Sequence, residues 1–352
     1  MNKAFVFGKF LPFHIGHEAM IRFALTNCDF LTVLVCCSDK ESIPGTVRKS
    51  WIEKTFENQN HIEVRIFNYS ESEFPNTSVT STEVSAIWAS IFKTLFPDYS
   101  LLITSEPYGA IVAGFMNIQH IAFDIDRKLN PVSATSIRND VFRNWKYIPD
   151  SVKSDFVFKV VILGTESTGK TILTQKLSQH YKCSFVFEAA REIIANSNSF
   201  SFEDLHLVAK EHSKRIDQAV TGDSPLVIID TDIHMTKSYS NFTFDKELKV
   251  SDEIYNSNKA DLYLYLNNDV EYLQDGTRLN ETIRNLLDAS HRQVLNAYNI
   301  NIIEINGNWQ ERFEKAVDHI DKLIFSNTEN ESGGDKGSAM GKTSRHDTKL
   351  KQ

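Results

Sequence analysis

The sequence predicts an α/β protein made of two doubly wound parallel-sheet domains, and three observations carry that expectation. Short apolar runs alternate with segments of helical period along most of the chain. The alternation pauses at NWKYIPDSVKSDF (144–156), where Pro149 and a polar run interrupt it before it resumes. A length of 352 residues suffices for two domains that each bury a core. The expected division is therefore 1–150, 151–326 and a tail over 327–352.

In the first part KAFVFG reads as a strand, IGHEAMIRFALTN as a helix, FLTVLVCC as a strand and VRKSWIEKTFEN as a helix. IEVRIFN, LLITS and IQHIAFDI read as further strands, with the helix VSAIWASIFKTLF before LLITS. The second part repeats the logic with strands FKVVILG, CSFVFE, PLVIID, DLYLYLN and INIIEI. Its helices are GKTILTQKLSQHY, FEDLHLVAKEHSKRIDQAV, ETIRNLLDASHRQVLNAY and WQERFEKAVDHIDKLIF. From Asn327 the chain lacks aromatic and β-branched aliphatic residues, so it cannot offset the entropy of ordering and is expected to be disordered. A GKT at 341–343 imitates part of a phosphate loop, but no strand precedes it and no amphipathic helix follows.

Composition removes several function classes. A net charge of −8 argues against a chain whose main work is gripping nucleic acid, and leaves small anionic ligands open. Cys28, Cys36, Cys37 and Cys183 lie in apolar surroundings without C-x-x-C spacing, the pattern of reduced core thiols. The opening MNKAFVFGKF is too short an apolar run for a signal peptide, and no later segment is long enough for membrane insertion. A cytoplasmic protein is expected, with self-association into a homo-oligomer left open.

Two segments carry chemistry. In VFGKFLPFHIGH a strand ends at Gly8, a loop carries Lys9, Phe10 and His14, and a helix begins near Gly16 with His17 in its first turn. Imidazoles at a helix start suit nucleotidyl transfer from ATP, because donors already in place stabilise the charge of a pentacoordinate transition state. NPVSATSIRND (130–140) supplies a second half-site, with Ser133 and Thr135 as N-cap types and Arg138 near the new helix start, fit to hold a departing pyrophosphate.

The second segment, GTESTGKT, satisfies G-x-x-x-x-G-K-[ST] with Gly164, Gly169, Lys170 and Thr171, between a buried strand and a helix. Glu166, Ser167 and Thr168 fill the loop whose amides would turn toward ATP, Lys170 reaches its outer phosphates, and the Thr171 hydroxyl suits Mg²⁺. Asp230 and Asp232 leave a strand at the ligand-facing edge. One carboxylate would act through Mg²⁺ and the other on the acceptor, or either serves as a helix N-cap; the sequence does not assign which. DGTRLNETIR places Arg278 and Arg284 where a kinase lid carries arginines. Glu188 and Arg191 end another strand as acceptor ligands or as an exposed i, i+3 ion pair.

GKFLPFHIGH resembles the G-x-F-x-P-x-H-x-G-H signature of nucleotidylyltransferases, and VSATSIR is similar to their second signature. With VRKSWIEKTF, TSEPYG, FDIDRKLNPVSATSIR, WKYIP, FEAARE, IIDTD and DGTRLNETIR in order, residues 1 to about 325 resemble the NadR family. That resemblance implies a Rossmann-like nicotinamide-nucleotide adenylyltransferase followed by a P-loop ribosylnicotinamide kinase. It implies nicotinamide riboside, nicotinamide mononucleotide and ATP as substrates, with Mg²⁺. It also implies that His14 and His17 contact ATP phosphates, that Lys9 and Arg138 neutralise charge, and that Trp51 and Tyr108 bind substrate. Enterobacterial members carry a helix-turn-helix repressor domain as well; here the first strand starts at residue 3, so no DNA-binding role is carried over. The rival readings are a bifunctional coenzyme A synthase, disfavoured by DGTR and FDIDRKLNPVSATSIR, and a nucleotide-sensing regulator without catalysis.

Overall fold

The protein is described here from a computed structural model, which covers residues 1–74, 80–194, 200–269 and 281–329. It divides into two compact units, Met1–Val152 and Lys153–Glu329.

The first unit opens with β1 (Lys3–Gly8), α1 (Ile15–Leu25), β2 (Phe30–Ser38), α2 (Gly45–Thr55) and β3 (Ile62–Tyr69). It continues with α3 (Thr82–Leu95), β4 (Leu101–Thr104), α4 (Tyr108–Met116), β5 (Gln119–Ala122), α5 (Ala134–Asn139) and α6 (Val141–Asn144). A single 3₁₀ turn, Trp145–Tyr147, leads to α7 (Asp150–Phe156). The strands form one parallel sheet in the order β3-β2-β1-β4-β5. Chain direction across the sheet reverses between β1 and β4, so their C-terminal ends flank a crevice, the place where such sheets bind ligands. Phe5 on β1 anchors the core, stacked on Phe96 at 4.4 Å between ring centroids and edge-on to Phe92 at 5.5 Å.

The second unit contains β6 (Phe158–Leu163), α8 (Lys170–Tyr181), β7 (Ser184–Val186), α9 (Ala190–Ile193), α10 (Phe202–Ala219) and β8 (Leu226–Asp230). It ends with α11 (Ile233–Phe244), α12 (Asp252–Ser257), β9 (Leu262–Leu266), α13 (Glu281–Ala297), β10 (Ile302–Ile305) and α14 (Trp309–Glu329). Its parallel sheet has the order β10-β9-β6-β8-β7. Every residue of β6 and β8 is buried, as central parallel strands covered on both faces require. The helix α10 buries Leu205, Val208, Ala209, His212 and Ile216 along one stripe, and a Ser201–Asp204 capping box starts it.

Two parallel α/β sheets are what the alternation of the sequence predicts. The differences lie in helices that alternation does not reveal. The chain between β4 and β5 forms α4 despite Pro107, Gly109 and Gly114. Gly109 is required by close approach, since a Cβ there would lie 2.0 Å from Thr104 Oγ1. The chain after β8 forms α11, whose buried positions include His234, Lys237, Ser238 and Ser240. At the other end α14 runs through Glu329, past the end of the expected helix at Phe325 and into the expected tail, the rest of which lies outside the described residues. Among the described residues no helix is long and apolar enough to cross a membrane.

Candidate functional site

The crevice of the first unit is a cavity of about 570 Å³. Gly8, Lys9, Phe10, His14, Gly16 and His17 line it from the β1–α1 side; Tyr108, Ser133, Thr135 and Arg138 line it from the β4 and α5 side. His14 is the N-cap of α1, and its Nδ1 accepts the Gly16 amide at 3.1 Å. That bond leaves the proton of the neutral ring on Nε2, which is then free to donate. His17 stacks on His14 with centroids 3.7 Å apart and packs edge-on to Phe10 at 5.0 Å. Burial, then the Arg127 charge, lowers the His14 pKa to about 3. Burial, followed by His14 and Arg127, holds His17 well below its ordinary value. Both rings are therefore neutral at neutral pH in the free protein.

The cations are held by local partners. Lys9 Nζ lies 3.0 Å from Glu41, whose other oxygen binds the buried Arg48 at 2.8 Å, and Arg48 in turn donates to the Lys9 carbonyl at 2.9 Å. The Arg138 guanidinium donates to the Leu11 carbonyl and to Thr135 Oγ1 at 3.1 Å, tying the first signature loop to the second. Ser133 starts α5 through a reciprocal capping box with Ser136, both bonds at 3.0 Å. Trp51 is 1% exposed on α2 and is not among the cavity-lining residues; Trp88 lines the cavity instead. Asp124 and Arg127, also in the lining, belong to the FDIDRKLNPVSATSIR run, whose pattern gives neither of them a role of its own. The Asp124 carboxylate accepts the amides of Lys128, Leu129 and Asn130, folding the turn that carries Arg127 at φ +52°.

In the second unit the loop after β6 turns through positive φ at Gly164, Ser167 and Gly169 and enters α8 at Lys170. Thr168 Oγ1 and Lys170 Nζ both donate to the Thr165 carbonyl, at 2.8 and 3.0 Å. Glu166 accepts the hydroxyl of the half-buried Tyr239 at 3.3 Å. At the end of β8, beside Ile162 of β6, Asp230 is fully buried and accepts the Thr171 hydroxyl at 2.5 Å. Burial raises the Asp230 pKa, while Lys170 opposes the shift and the charges of Glu188 and Arg191 also reach it. Glu188 and Arg191 stand 3.6 Å apart as an i, i+3 pair.

Asp232 takes the capping role. It is fully buried, accepts the His234 and Met235 amides to start α11, and binds His234 Nδ1 at 2.5 Å. Arg284 lies in the first turn of α13, 3% exposed, donating to the Asn268 carbonyl at 2.9 Å, rather than in a loop over the site. Arg278 lies outside the described residues.

The donor set under the phosphate loop fits Mg²⁺. Asp230 Oδ1 is buried and has no hydrogen-bond partner among the described residues, beside an oxygen already touching Thr171. A carboxylate and a hydroxyl leave the remaining octahedral positions to phosphate and water, the usual arrangement for this ion.

Two parallel sheets with anion-directed loops at their C-terminal edges, one of them a complete phosphate loop, define a nucleotide-binding α/β protein. A family model described as an AAA domain matches residues 159–312. The trifunctional NAD biosynthesis/regulator protein NadR of Escherichia coli K12 is 27% identical over 347 residues, 91% of this chain and 82% of that protein. The same protein of Salmonella typhimurium LT2 is 27% identical over 350 residues, 92% and 83%. A crystal structure of NadR in complex with NR superposes with a TM-score of 0.67 at 21% identity, covering 92% of this chain and 96% of that one. A second, with NAD and AMP-PNP, gives 0.66 at 20%, with the same coverage. Over about nine tenths of its length the chain is thus similar to NadR proteins, in sequence and in fold.

Proposed function

We propose that the second unit phosphorylates the 5′-hydroxyl of nicotinamide riboside with ATP, and that the first joins the resulting mononucleotide to AMP, releasing pyrophosphate and NAD. The carrying observation is the pairing in one chain of a stacked His14–His17 couple lining a cavity with a phosphate loop whose Thr171 meets a buried carboxylate. The likeness to NadR proteins, two structures of which hold NR or NAD with AMP-PNP, supports this choice of substrates.

In the first unit, His14 Nε2–H and His17 approach the ATP phosphates as neutral donors. A bound triphosphate favours the charged imidazole, opposing the effect of the Arg127 charge on His14. Arg138, fixed between Leu11 and Thr135, lies where the departing pyrophosphate gathers charge, with Lys9 on the other rim. Trp88 and Tyr108 offer aromatic faces in the same cavity to the nicotinamide ring.

In the second unit the loop amides and Lys170 hold the donor phosphates, and Thr171 and Asp230 are the residues that would hold Mg²⁺. Mg²⁺ would neutralise charge developing on the bridging phosphate oxygens. Glu188, whose charge reaches Asp230, binds the acceptor ribose, with Arg191 beside it. Positioning and charge stabilisation suffice for both displacements at phosphorus, so no covalent nucleophile is needed.

The test is incubation of the purified chain with Mg-ATP and nicotinamide riboside, beside a parallel incubation with pantetheine phosphate, following products by chromatography. Mononucleotide and NAD are expected in the first only. Their absence there would overturn the reading.

A further inference from the structure

Arg312 belongs to no motif, yet it fastens the phosphate loop from behind. It lies near the start of α14, 1% exposed. Its Nε donates to the Gly307 carbonyl at 2.8 Å, Nη1 to the Thr168 carbonyl at 3.0 Å and Nη2 to the Asn267 carbonyl at 2.9 Å. The Asp269 carboxylate binds the same guanidinium, and its other oxygen accepts the Gly307 amide at 2.7 Å. A planar fork of donors can gather three carbonyls from the end of β9, the turn after β10 and the phosphate loop; an ammonium cannot.

The bond to Thr168 has a stereochemical consequence. In a planar trans peptide the carbonyl and the following N–H point in opposite directions. Holding the Thr168 oxygen toward Arg312 therefore turns the Gly169 N–H away from that guanidinium. The Trp309 indole packs on Gly169 so closely that a Cβ there would lie 2.3 Å from the ring. Rotation of that peptide would have to displace the indole.

We propose that Arg312 is a positioning residue of the phosphoryl-donor site: it holds the Thr168–Gly169 peptide so that the Gly169 amide donates to a phosphate of the bound nucleotide. The kinetic part rests on the phosphoryl-transfer reading above; the binding part does not.

The full chain is titrated with Mg-ADP by calorimetry, and the component lost in Lys170→Ala identifies the phosphate-loop site. Arg312→Gln is expected to weaken that component about tenfold, the effect of losing one charge-assisted bond and the amide it orients. The kinase KM for ATP should rise by a similar factor, while the acceptor KM and adenylyl transfer by the first unit stay within about twofold. A merely structural role would lower apparent kcat through less folded protein, at unchanged KM for ATP. Asp269→Asn, at a side chain 40% exposed, loosens Arg312 without removing it and should shift Mg-ADP affinity about threefold in the same direction. It keeps the proposal open to refutation if Arg312→Gln folds poorly. Unchanged Mg-ADP affinity in the folded variants overturns the proposal. A wild-type chain that binds Mg-ADP through the loop but phosphorylates no nucleoside overturns the functional reading alone, and the binding arm still decides the role of Arg312.

Discussion

Gly169 stands at φ +85° with the Trp309 ring over its Cα hydrogen, so alanine there meets a left-handed backbone and a collision together. The backbone alone costs a non-glycine residue about 1–2 kcal/mol. Gly169→Ala is expected to lower the melting temperature of the second unit and to abolish kinase turnover while adenylyl transfer persists, as a calorimetric scan and paired assays would show. The buried histidines allow a second prediction at this scale. His14 and His291 ordinarily titrate near 6.5, but burial, aided by Arg127 and Lys170 respectively, lowers each to about 3. Between those values the unfolded chain binds protons that the folded chain refuses. Stability is therefore fully present above pH 6.5 and falls as the pH drops from there toward 3. His291→Asn, which retains a partner for the Ser238 hydroxyl now 2.8 Å from Nδ1, should flatten the decline in melting temperature of the second unit between pH 7 and pH 5. An unchanged slope would mean that the folded imidazole already carries its proton.

At the scale of elements, α11 shows why some of the fold escapes a reading of apolar periodicity. Its inward face is polar and becomes buried because each group finds a partner: Lys237 donates to the Leu248 carbonyl at 2.6 Å, Ser238 meets Ser290 at 2.8 Å, and Ser240 donates to the Lys246 carbonyl at 2.5 Å. No hydrophobic stripe marks such a helix, whereas α10 is legible from its stripe and capping box alone. The start of α11 rests on Asp232, which caps two amides and faces His234. Asp232→Ala removes the cap and leaves the buried imidazole without its partner, so a loss of about 3 kcal/mol is expected. Asp232→Asn keeps an acceptor and should cost about 1 kcal/mol. Urea denaturation of the second unit measures both. Equal losses would show that the charge facing His234, rather than the cap, carries the stability.

For the whole molecule, what is legible in the sequence is what is contiguous. The residues 163–171 bring a strand end, a loop and a helix start together within one short segment, and so do 8–17, so their placement follows from local pattern. Arg312 lies 144 positions from the Thr168 carbonyl it holds, and Arg127 acts on His14 through space from another segment; no spacing rule connects either pair. The two cradles use ATP differently under the proposed function, one as an AMP donor and the other as a phosphoryl donor, and substitutions should separate them. Lys170→Ala removes the cation that meets the outer phosphates, so mononucleotide formation from nicotinamide riboside should fall by about 100-fold or more. Adenylylation of added mononucleotide should remain near the wild-type rate. His17→Ala removes a ring packed against His14, Phe10 and Phe13, and should reverse the pattern: mononucleotide accumulates, and its conversion to NAD drops about 100-fold. Time courses from each single substrate distinguish these outcomes, with circular dichroism confirming that each variant is folded. If either substitution removed both activities from folded protein, the two cradles would not be independent sites, and each unit would need the other's intact cradle to work.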